Sequence, residues 1–344
     1  MIRGKLVLAI WAVMVAVLSG GPAHADAEFR WKMQSLWQAG TINQQVFEAF
    51  CERVAEVTGG RLVIEPLPVG SIVAYNETLD AVTAGILDGQ HGGSGYFAGK
   101  DAAFGILGDL NGGYEHVRQL HMWLNYGGGI ELARELFAQY DIYYVGGVSW
   151  GAESIPAKKP IRTLEDFKGV KLRAPEGMSQ DIFQRIGAAP VNIPGAEVYT
   201  ALERGVVEAA DWGTLGMNDD LGYHAIAPYP LYPGFHSAPM ADVAVNMDRW
   251  NELPDDVKAL VEMAVRDFSR DMVEKIALQD AQVAAHAAEN GVELINWSSA
   301  ERRKYREVAA EVWAEYAARS PMAQRIYDSH IAFLTRLGLI GSNQ

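Results

Sequence analysis

The chain has 344 residues, 49% of them hydrophobic, and a formal net charge of −14. It contains no low-complexity tract and is long enough for two compact lobes, which excludes a disordered or fibrous protein. No basic stripe is present, so we expect no nucleic-acid partner, although one buried arginine would suffice to bind a small anion. Cys51 is the only cysteine, so no intrachain disulfide can form.

The first 25 residues have the three parts of a secretory signal. Arg3 and Lys5 provide the positive start, residues 6–18 form an apolar run, and the segment 23–25 (Ala-His-Ala) provides a small-x-small cleavage site. The apolar run is short for a membrane-spanning helix. We therefore predict cleavage after Ala25 and export to the periplasm.

The next part of the chain alternates strand and helix patterns in the order of a doubly wound half-sheet. The patterns predict strands at Phe29–Ser35, Arg61–Pro66 and Gln90–Ser94, with intervening helices at Ile42–Val57 and Glu77–Leu87.

Two aromatic residues follow the ends of these strands. We expect Trp37 and Tyr96 to line a cleft, where the Tyr96 phenol would donate to a carboxylate or keto oxygen; ordinary core packing is the alternative. The glycines at 93 and 95 suggest a phosphate-binding loop. Ala98 stands where the third glycine of the dinucleotide fingerprint would fall, so we reject nucleotide binding.

The segment 147–151 matches the G-x-S-x-G pattern of a hydrolase, with Ser149 as the nucleophile. That motif requires a helix directly after the serine, whereas Pro156 and Pro160 follow here. We therefore interpret the segment as a crossover between two lobes, which places Glu153 near the cleft. A secreted serine hydrolase using Ser149 is kept as the alternative of another class.

Three short strands then follow, each ending near a polar residue. The patterns predict strands at Val170–Arg173 and Pro190–Ile193 and a third that ends at Asp211. Because the carboxyl ends of parallel strands face the ligand crevice, we expect Arg173, Asn192 and Asp211 to meet at one edge. The planar fork of Arg173 matches a carboxylate, with a surface ion pair as the alternative. For Asn192 the alternative is a turn residue.

The sequence patterns of the C-terminal part predict a strand that returns to the first sheet, followed by long helices. Ala241–Asn246 is predicted as the returning strand, after an aromatic turn in which Phe235 and His236 are candidates for the pocket wall. An apolar stripe predicts a long helix at Val257–Ala285. The stripe serves either as a brace between lobes or as a dimer interface, and the pattern leaves both open. Two more helices are predicted, at 299–318 and 322–337.

Three motifs agree in order and spacing with one known family. They are VKLRAP at 170–175, GAAPVNIPGAEVYTALERGVVEAADW at 187–212 and YPG at 232–234. With them the chain resembles the solute receptors of tripartite ATP-independent periplasmic (TRAP) transporters, from about Phe29 to the C-terminal helices. Within this family, the residue sequence of these motifs is most similar to that of receptors for 2-oxo and 2-hydroxy monocarboxylates.

The resemblance implies roles for several residues. Arg173 would hold the ligand carboxylate, Tyr96 would belong to a ligand-side loop, and Asp211 with the Trp212 carbonyl would coordinate a cation. Glu153 stands where the family has a glutamine, and Asp211 replaces a longer glutamate. A second carboxylate beside an anionic ligand is unfavourable without a cation between them, so Glu153 is either a metal ligand or structural. Oxygen ligands favour Na⁺ or Ca²⁺, and no organic cofactor is expected.

These observations predict a two-lobed α/β fold of the periplasmic-binding-protein type, with a hinge. Residues 26–148 with about 237–265 would form the N-terminal lobe, 149–236 the C-terminal lobe, and 254–337 the long bridging helices. The ligand-contacting residues would be Trp37, Tyr96, Glu153, Arg173, Asn192, Trp212 and Phe235.

The resemblance also implies function and partners. The predicted function is binding without chemistry: a small organic anion such as pyruvate or lactate is enclosed and delivered to TRAP membrane permease subunits. A dicarboxylate, sugar acid or ectoine-like solute is the alternative ligand. Some members of the family pair as homodimers through C-terminal helices.

Overall fold

Two β-sheets organise the chain, and the computed structural model describes residues 27–341 of it. The predicted secretory signal and its cleavage site lie outside the described residues. None of the helices within the described range combines the length and apolarity needed to span a bilayer.

The larger sheet has five strands and the smaller has three. Their bounds are β1 Phe29–Ser35, β2 Leu62–Leu67, β3 Gly89–Gly93, β4 Ile142–Ser149, β5 Lys171–Arg173, β6 Ala189–Val191, β7 Ala209–Ala210 and β8 Met240–Asn246. The strand order of the larger sheet is β2-β1-β3-β8-β4. The strand order of the smaller sheet is β6-β5-β7, and its three strands are parallel. Strand β8 runs antiparallel to both of its neighbours, β3 and β4. The predicted return of the chain into the first sheet is therefore confirmed.

Twelve α-helices in the described part of the chain cover the sheets and link them. Their bounds are α1 Ile42–Val57, α2 Thr78–Thr83, α3 Ala102–Gly108, α4 Val117–Tyr126, α5 Gly129–Ala138, α6 Met178–Arg185, α7 Val198–Glu203, α8 Leu215–Asp220, α9 Met247–Glu252, α10 Asp255–His286, α11 Ser299–Ala317 and α12 Pro321–Arg336. Helix α1 has the predicted bounds, and Thr41 caps its N-terminus by accepting a hydrogen bond from the Gln44 amide.

One predicted helix is shorter than its sequence pattern indicated. The expected helix Glu77–Leu87 is only Thr78–Thr83, and Ile86, within the predicted span, is 59% exposed. Gly85 adopts a left-handed conformation with φ of 69°, which ends the helix before Ile86. The segment 226–232 contributes only isolated bridges, at Leu231. Its prolines at 228 and 230 lack the N–H groups that a regular ladder requires.

The long helices connect the two halves of the fold. Helix α10 packs on α1 and β4 through its apolar stripe, in which Val261, Val265, Phe268 and Met272 are buried, and it also contacts α8. Helix α11 packs on α3 on one side and on α6 on the other. The space between the two sheets is therefore bounded by elements that the helices hold in place.

Candidate functional site

A cavity of about 110 Å³ lies between the two sheets. Strand ends and loops from both halves line it, and the side chains used below are Trp37, Tyr96, Asp109, Glu153, Arg173, Glu176, Ser179, Asp211, Trp212 and Ser237. Trp37 and Tyr96 follow strands of the larger sheet. Arg173 is the last residue of a strand of the smaller sheet, and Asp211 directly follows another. A ligand in this cavity would touch both halves of the molecule.

Arg173 is the last residue of β5 and is 5% exposed. Its Nε donates to the Ile193 carbonyl at 3.0 Å, and its Nη1 donates to the Asp211 carbonyl. These two bonds fix the plane of the guanidinium, and no acceptor within residues 27–341 is bonded to Nη2. The fork is thus held in place before any ligand arrives, which suits recognition of a carboxylate.

Asp211, directly after β7, is the centre of a buried polar cluster. Its Oδ2 accepts from the Ser179 hydroxyl at 2.6 Å, and its Oδ1 lies 3.0 Å from Nε2 of His236. Ligand atoms of Glu153, Asp211 and His236 all lie within 4.8 Å of one another, and all three residues are buried. The three side chains together could hold a metal ion.

The two carboxylates of this cluster have opposite pKa shifts. Burial, together with the negative charge of Asp211, raises the pKa of Glu153 well above its ordinary value. Burial also disfavours ionised Asp211, but the charge and hydrogen bond of His236 outweigh it and lower the Asp211 pKa. Without a cation the pair therefore tends to hold one proton on Glu153, because two adjacent buried carboxylates repel each other.

Glu153 is positioned by the chain segment that crosses between the sheets. Its Oε1 accepts from the Trp150 indole at 3.0 Å, and its Oε2 accepts from the Ser237 hydroxyl at 2.9 Å. Its backbone N–H donates to the Ser237 carbonyl at 3.0 Å. The Cα of Gly234 packs directly on the Glu153 backbone, where an added Cβ would overlap the Glu153 carbonyl group.

Gly234→Ala is therefore expected to destabilise the fold by about 1–3 kcal/mol, the usual cost of forcing extra volume into a packed region. The obstacle is backbone rather than a flexible side chain, so the crossover segment itself must shift. Denaturant unfolding measures the change, with Gly99→Ala as the matched control because an added Cβ there meets nothing within 4 Å. Equal stability of the two variants would contradict the close packing.

The aromatic residues expected at the cleft lie on the cavity wall. Trp37 and Trp150 meet edge-to-face with ring centroids 4.8 Å apart, and the Trp37 indole donates to His91 at 3.2 Å. Trp212 lies across the cavity on the other half of the fold. Burial raises the pKa of Tyr96, so its phenol stays neutral and able to donate a hydrogen bond.

Two expected contact residues lie away from the cavity. Asn192 is exposed and is not among the lining residues, although it follows β6 as expected. The backbone at Ile193, rather than the Asn192 side chain, faces Arg173. The Phe235 ring stacks on Trp297 with centroids 4.8 Å apart, behind the cavity wall. Its neighbour His236 is the turn residue that reaches the site.

Other site residues carried no signal in the sequence. Asp109 follows α3, lines the cavity and accepts hydrogen bonds from Ser237 and Asn111, each at 2.6 Å. Burial raises the pKa of Asp109 to about 7, and hydrogen bonds from Ser237 and Ala238 only partly offset this effect. Ser179 was also not singled out. Ser179 lies 32 positions from its partner Asp211, and Asp109 lies 128 positions from its partner Ser237, so no local spacing identifies these residues.

The structure does not support the hydrolase interpretation of Ser149. Ser149 is the last residue of β4 and is fully buried. Its hydroxyl accepts a 3.3 Å hydrogen bond from the Gly151 amide, and within residues 27–341 no histidine is hydrogen-bonded to it. As expected from the two prolines, no helix follows directly.

Two α/β halves linked by crossovers, with a fixed arginine and a carboxylate cluster in the cavity between them, define a two-lobed solute-binding protein. The family model described as bacterial extracellular solute-binding protein, family 7 (DctP) matches residues 33–320. The chain belongs to this family, whose members are transport receptors rather than enzymes.

Solved and characterised relatives agree with this assignment. A TRAP periplasmic solute-binding protein from Rhodobacter sphaeroides, solved in an apo open form, is 38% identical with a TM-score of 0.78, covering 91% of this chain and 100% of that one. The monocarboxylate 2-oxoacid-binding periplasmic protein all3028 of Nostoc sp. is 29% identical over 88% of this chain and 84% of the relative. A TRAP solute-binding protein from Colwellia psychrerythraea, solved with calcium and pyruvate, is 27% identical with a TM-score of 0.80, covering 90% and 95%. The chain is therefore a TRAP-type solute receptor with the two-lobed fold.

Proposed function

We propose that this receptor binds one small monocarboxylate, a 2-oxo or 2-hydroxy acid, together with a cation. The observation that carries the proposal is the pairing of pre-oriented Arg173 with the Asp211–Glu153–His236 cluster in a cavity of only about 110 Å³. Arg173 binds the ligand carboxylate, and the cation lies between that carboxylate and the carboxylates of Asp211 and Glu153.

The negative charge of the cavity wall that faces Arg173 indicates that the ligand carries one carboxylate rather than two. Within the described part of the chain, Arg173 is the only arginine or lysine that lines this cavity, whereas Asp109, Glu153 and Glu176 line the remaining wall. A dicarboxylate or sugar diacid would bring its second carboxylate towards these acids without a cationic partner. Coulomb repulsion in a partly desolvated site disfavours that arrangement by about 4 kcal/mol for two charges 4 Å apart.

The residues of the cluster fit a hard cation. Asp211 and Glu153 supply carboxylate oxygens, the ligands that Na⁺ and Ca²⁺ prefer. His236 bonds to Asp211 and would orient this ligand from behind. The family resemblance adds the Trp212 carbonyl. When bound, the cation would supply the positive charge that allows two protein carboxylates to remain ionised beside an anionic ligand.

Closure of the two lobes around the ligand would follow from the placement of the site. Residues 26–148 with about 237–265 form one lobe and 149–236 the other, with 254–337 bridging them. In this proposal the chain acts in the periplasm after removal of residues 1–25, and the closed form is what the permease subunits of the transporter recognise. Pairing of two copies through the C-terminal helices belongs to the same proposal.

Calorimetric titration of the mature protein with calcium present tests the ligand class. Pyruvate and lactate are expected to bind with a stoichiometry of one, whereas malonate and succinate are expected to bind at least about a hundredfold more weakly because the acidic wall repels their second carboxylate. Tighter binding of a dicarboxylate or a sugar acid would contradict the proposal.

A further inference from the structure

Asp109 is a carboxylate of the cavity wall that lies outside the proposed cation cluster. It follows the last residue of α3 and remains partly exposed, facing the cavity. Its Oδ2 accepts from the Ser237 hydroxyl and the Asn111 amide, each at 2.6 Å, and its Oδ1 accepts from the Ala238 backbone at 3.3 Å. These bonds hold the carboxyl group in one orientation.

The hydrogen bonds around Asp109 leave an acceptor unfilled. An ionised carboxylate has about four acceptor positions and no donor, and the three bonds leave one position, on Oδ1. The Ser237 hydroxyl has a single proton but lies within hydrogen-bonding distance of both Asp109 and Glu153, so it donates to one of them at a time. The wall beside Asp109 therefore offers an acceptor to the cavity.

The positive side chains near Asp109 are already bonded to other groups. Among residues 27–341, Arg173 is the only lysine or arginine in the cavity lining, and two of its nitrogens are bonded to the carbonyls of Ile193 and Asp211. Nε2 of His236 lies 3.0 Å from Oδ1 of Asp211. An ionised group held in a partly buried site is stabilised by donors from whatever occupies the cavity. A hydroxyl group on the ligand would be such a donor.

We propose that Asp109 determines ligand specificity by selecting a hydroxy monocarboxylate over the corresponding oxo acid. The inference rests on the proposed function, in which Arg173 and the cation bind the carboxylate end of the ligand. A hydroxyl donates to Asp109, whereas a keto oxygen can only accept and is repelled by the carboxylate. Hydrogen bonds to charged groups are strong enough to separate the two acids by about tenfold or more.

The test compares L-lactate, D-lactate and pyruvate by calorimetry with saturating calcium at pH 8, above the pKa of about 7 to which burial raises Asp109, so that its carboxyl group is ionised. We expect the wild-type protein to bind one lactate enantiomer at least about tenfold more tightly than pyruvate. In Asp109→Asn the amide supplies donors in place of one carboxylate oxygen, so this preference should fall to about unity or reverse. Glu65→Gln is the matched control: it removes the same charge from an exposed residue of β2 that does not line the cavity, and it should keep the wild-type ratio.

Two results would overturn the specificity role: wild-type protein that prefers pyruvate, or an Asp109→Asn variant with the wild-type ratio. Failure of all three acids to bind would instead refute the proposed function itself, and the inference with it. The wild-type ratio needs no substitution, so the test remains decisive even where the variant folds poorly.

Discussion

Arg173→Ala is expected to weaken ligand binding by about 2–5 kcal/mol, roughly 30-fold to several thousandfold, because it leaves the ligand carboxylate buried and unpaired. The effect should approach the upper end, since the same guanidinium also donates to the carbonyls of Ile193 and Asp211 and so orders the backbone next to the cation ligand. Calorimetric titration with pyruvate and lactate measures the loss.

Two further variants separate recognition from general damage. Arg173→Lys keeps the charge but loses the planar fork, so it should bind more weakly than wild type and more tightly than Arg173→Ala. Arg204→Ala removes an exposed arginine of the same lobe and should leave the affinity unchanged. Wild-type affinity in Arg173→Ala would refute the assignment of the carboxylate to this residue.

Removal of the cation is expected to produce the second large effect. With sodium and calcium stripped, the ligand anion would face Asp211 and Glu153 directly, at a cost of about 4 kcal/mol for a pair of charges 4 Å apart, or about a thousandfold in affinity. Part of this cost is relieved by protonation of Glu153, whose pKa is raised by burial and by Asp211. Titrations with and without added sodium or calcium measure the dependence.

Substitutions locate the cation effect. Asp211→Asn should reduce ligand affinity to the cation-free level and abolish its response to added calcium, because the carboxylate bonded to Ser179 and His236 is the centre of the cluster. Glu203→Gln, at an exposed position in the same lobe, is the control and should retain the response. Tight binding that is indifferent to cations in both proteins would remove the metal from the proposal while keeping the receptor.

Local sequence patterns predicted much of the fold. The strand at 241–246 has an apolar pattern and joins the first sheet as expected, and the helix at Val257–Ala285 is present as Asp255–His286. The helix expected to reach Leu87 ends early, because a left-handed glycine outweighs the apolar periodicity. Element types were therefore more predictable than element ends.

The predicted site residues came from strand ends, the crossover and the aromatic turn. Strand ends predicted Arg173 and Asp211 at the cavity, whereas Asn192 shares the strand-end position but is exposed. The crossover predicted Glu153 and the turn predicted His236. Asp109, Ser179 and Ser237 reach the site through contacts between distant parts of the chain, so their roles depend on the completed tertiary structure. A pattern that shows which residue follows a strand does not show which way the side chain turns.

The position of β8 has a consequence for how the chain acquires its structure. This strand lies between β3 and β4, pairs Val245 with Gly89 and Asn246 with Ile142, and is made only after strands β5 to β7 of the smaller sheet. In a chain that emerges from its N-terminus, β3 can pair with β1, but β4 and the other edge of β3 must wait until residues 240–246 arrive, and such long-range pairing is slow. A fragment ending before residue 240 would expose two open strand edges and be prone to aggregate. The five-stranded sheet is thus discontinuous in sequence, and it is completed only after the three strands of the smaller sheet have been synthesised.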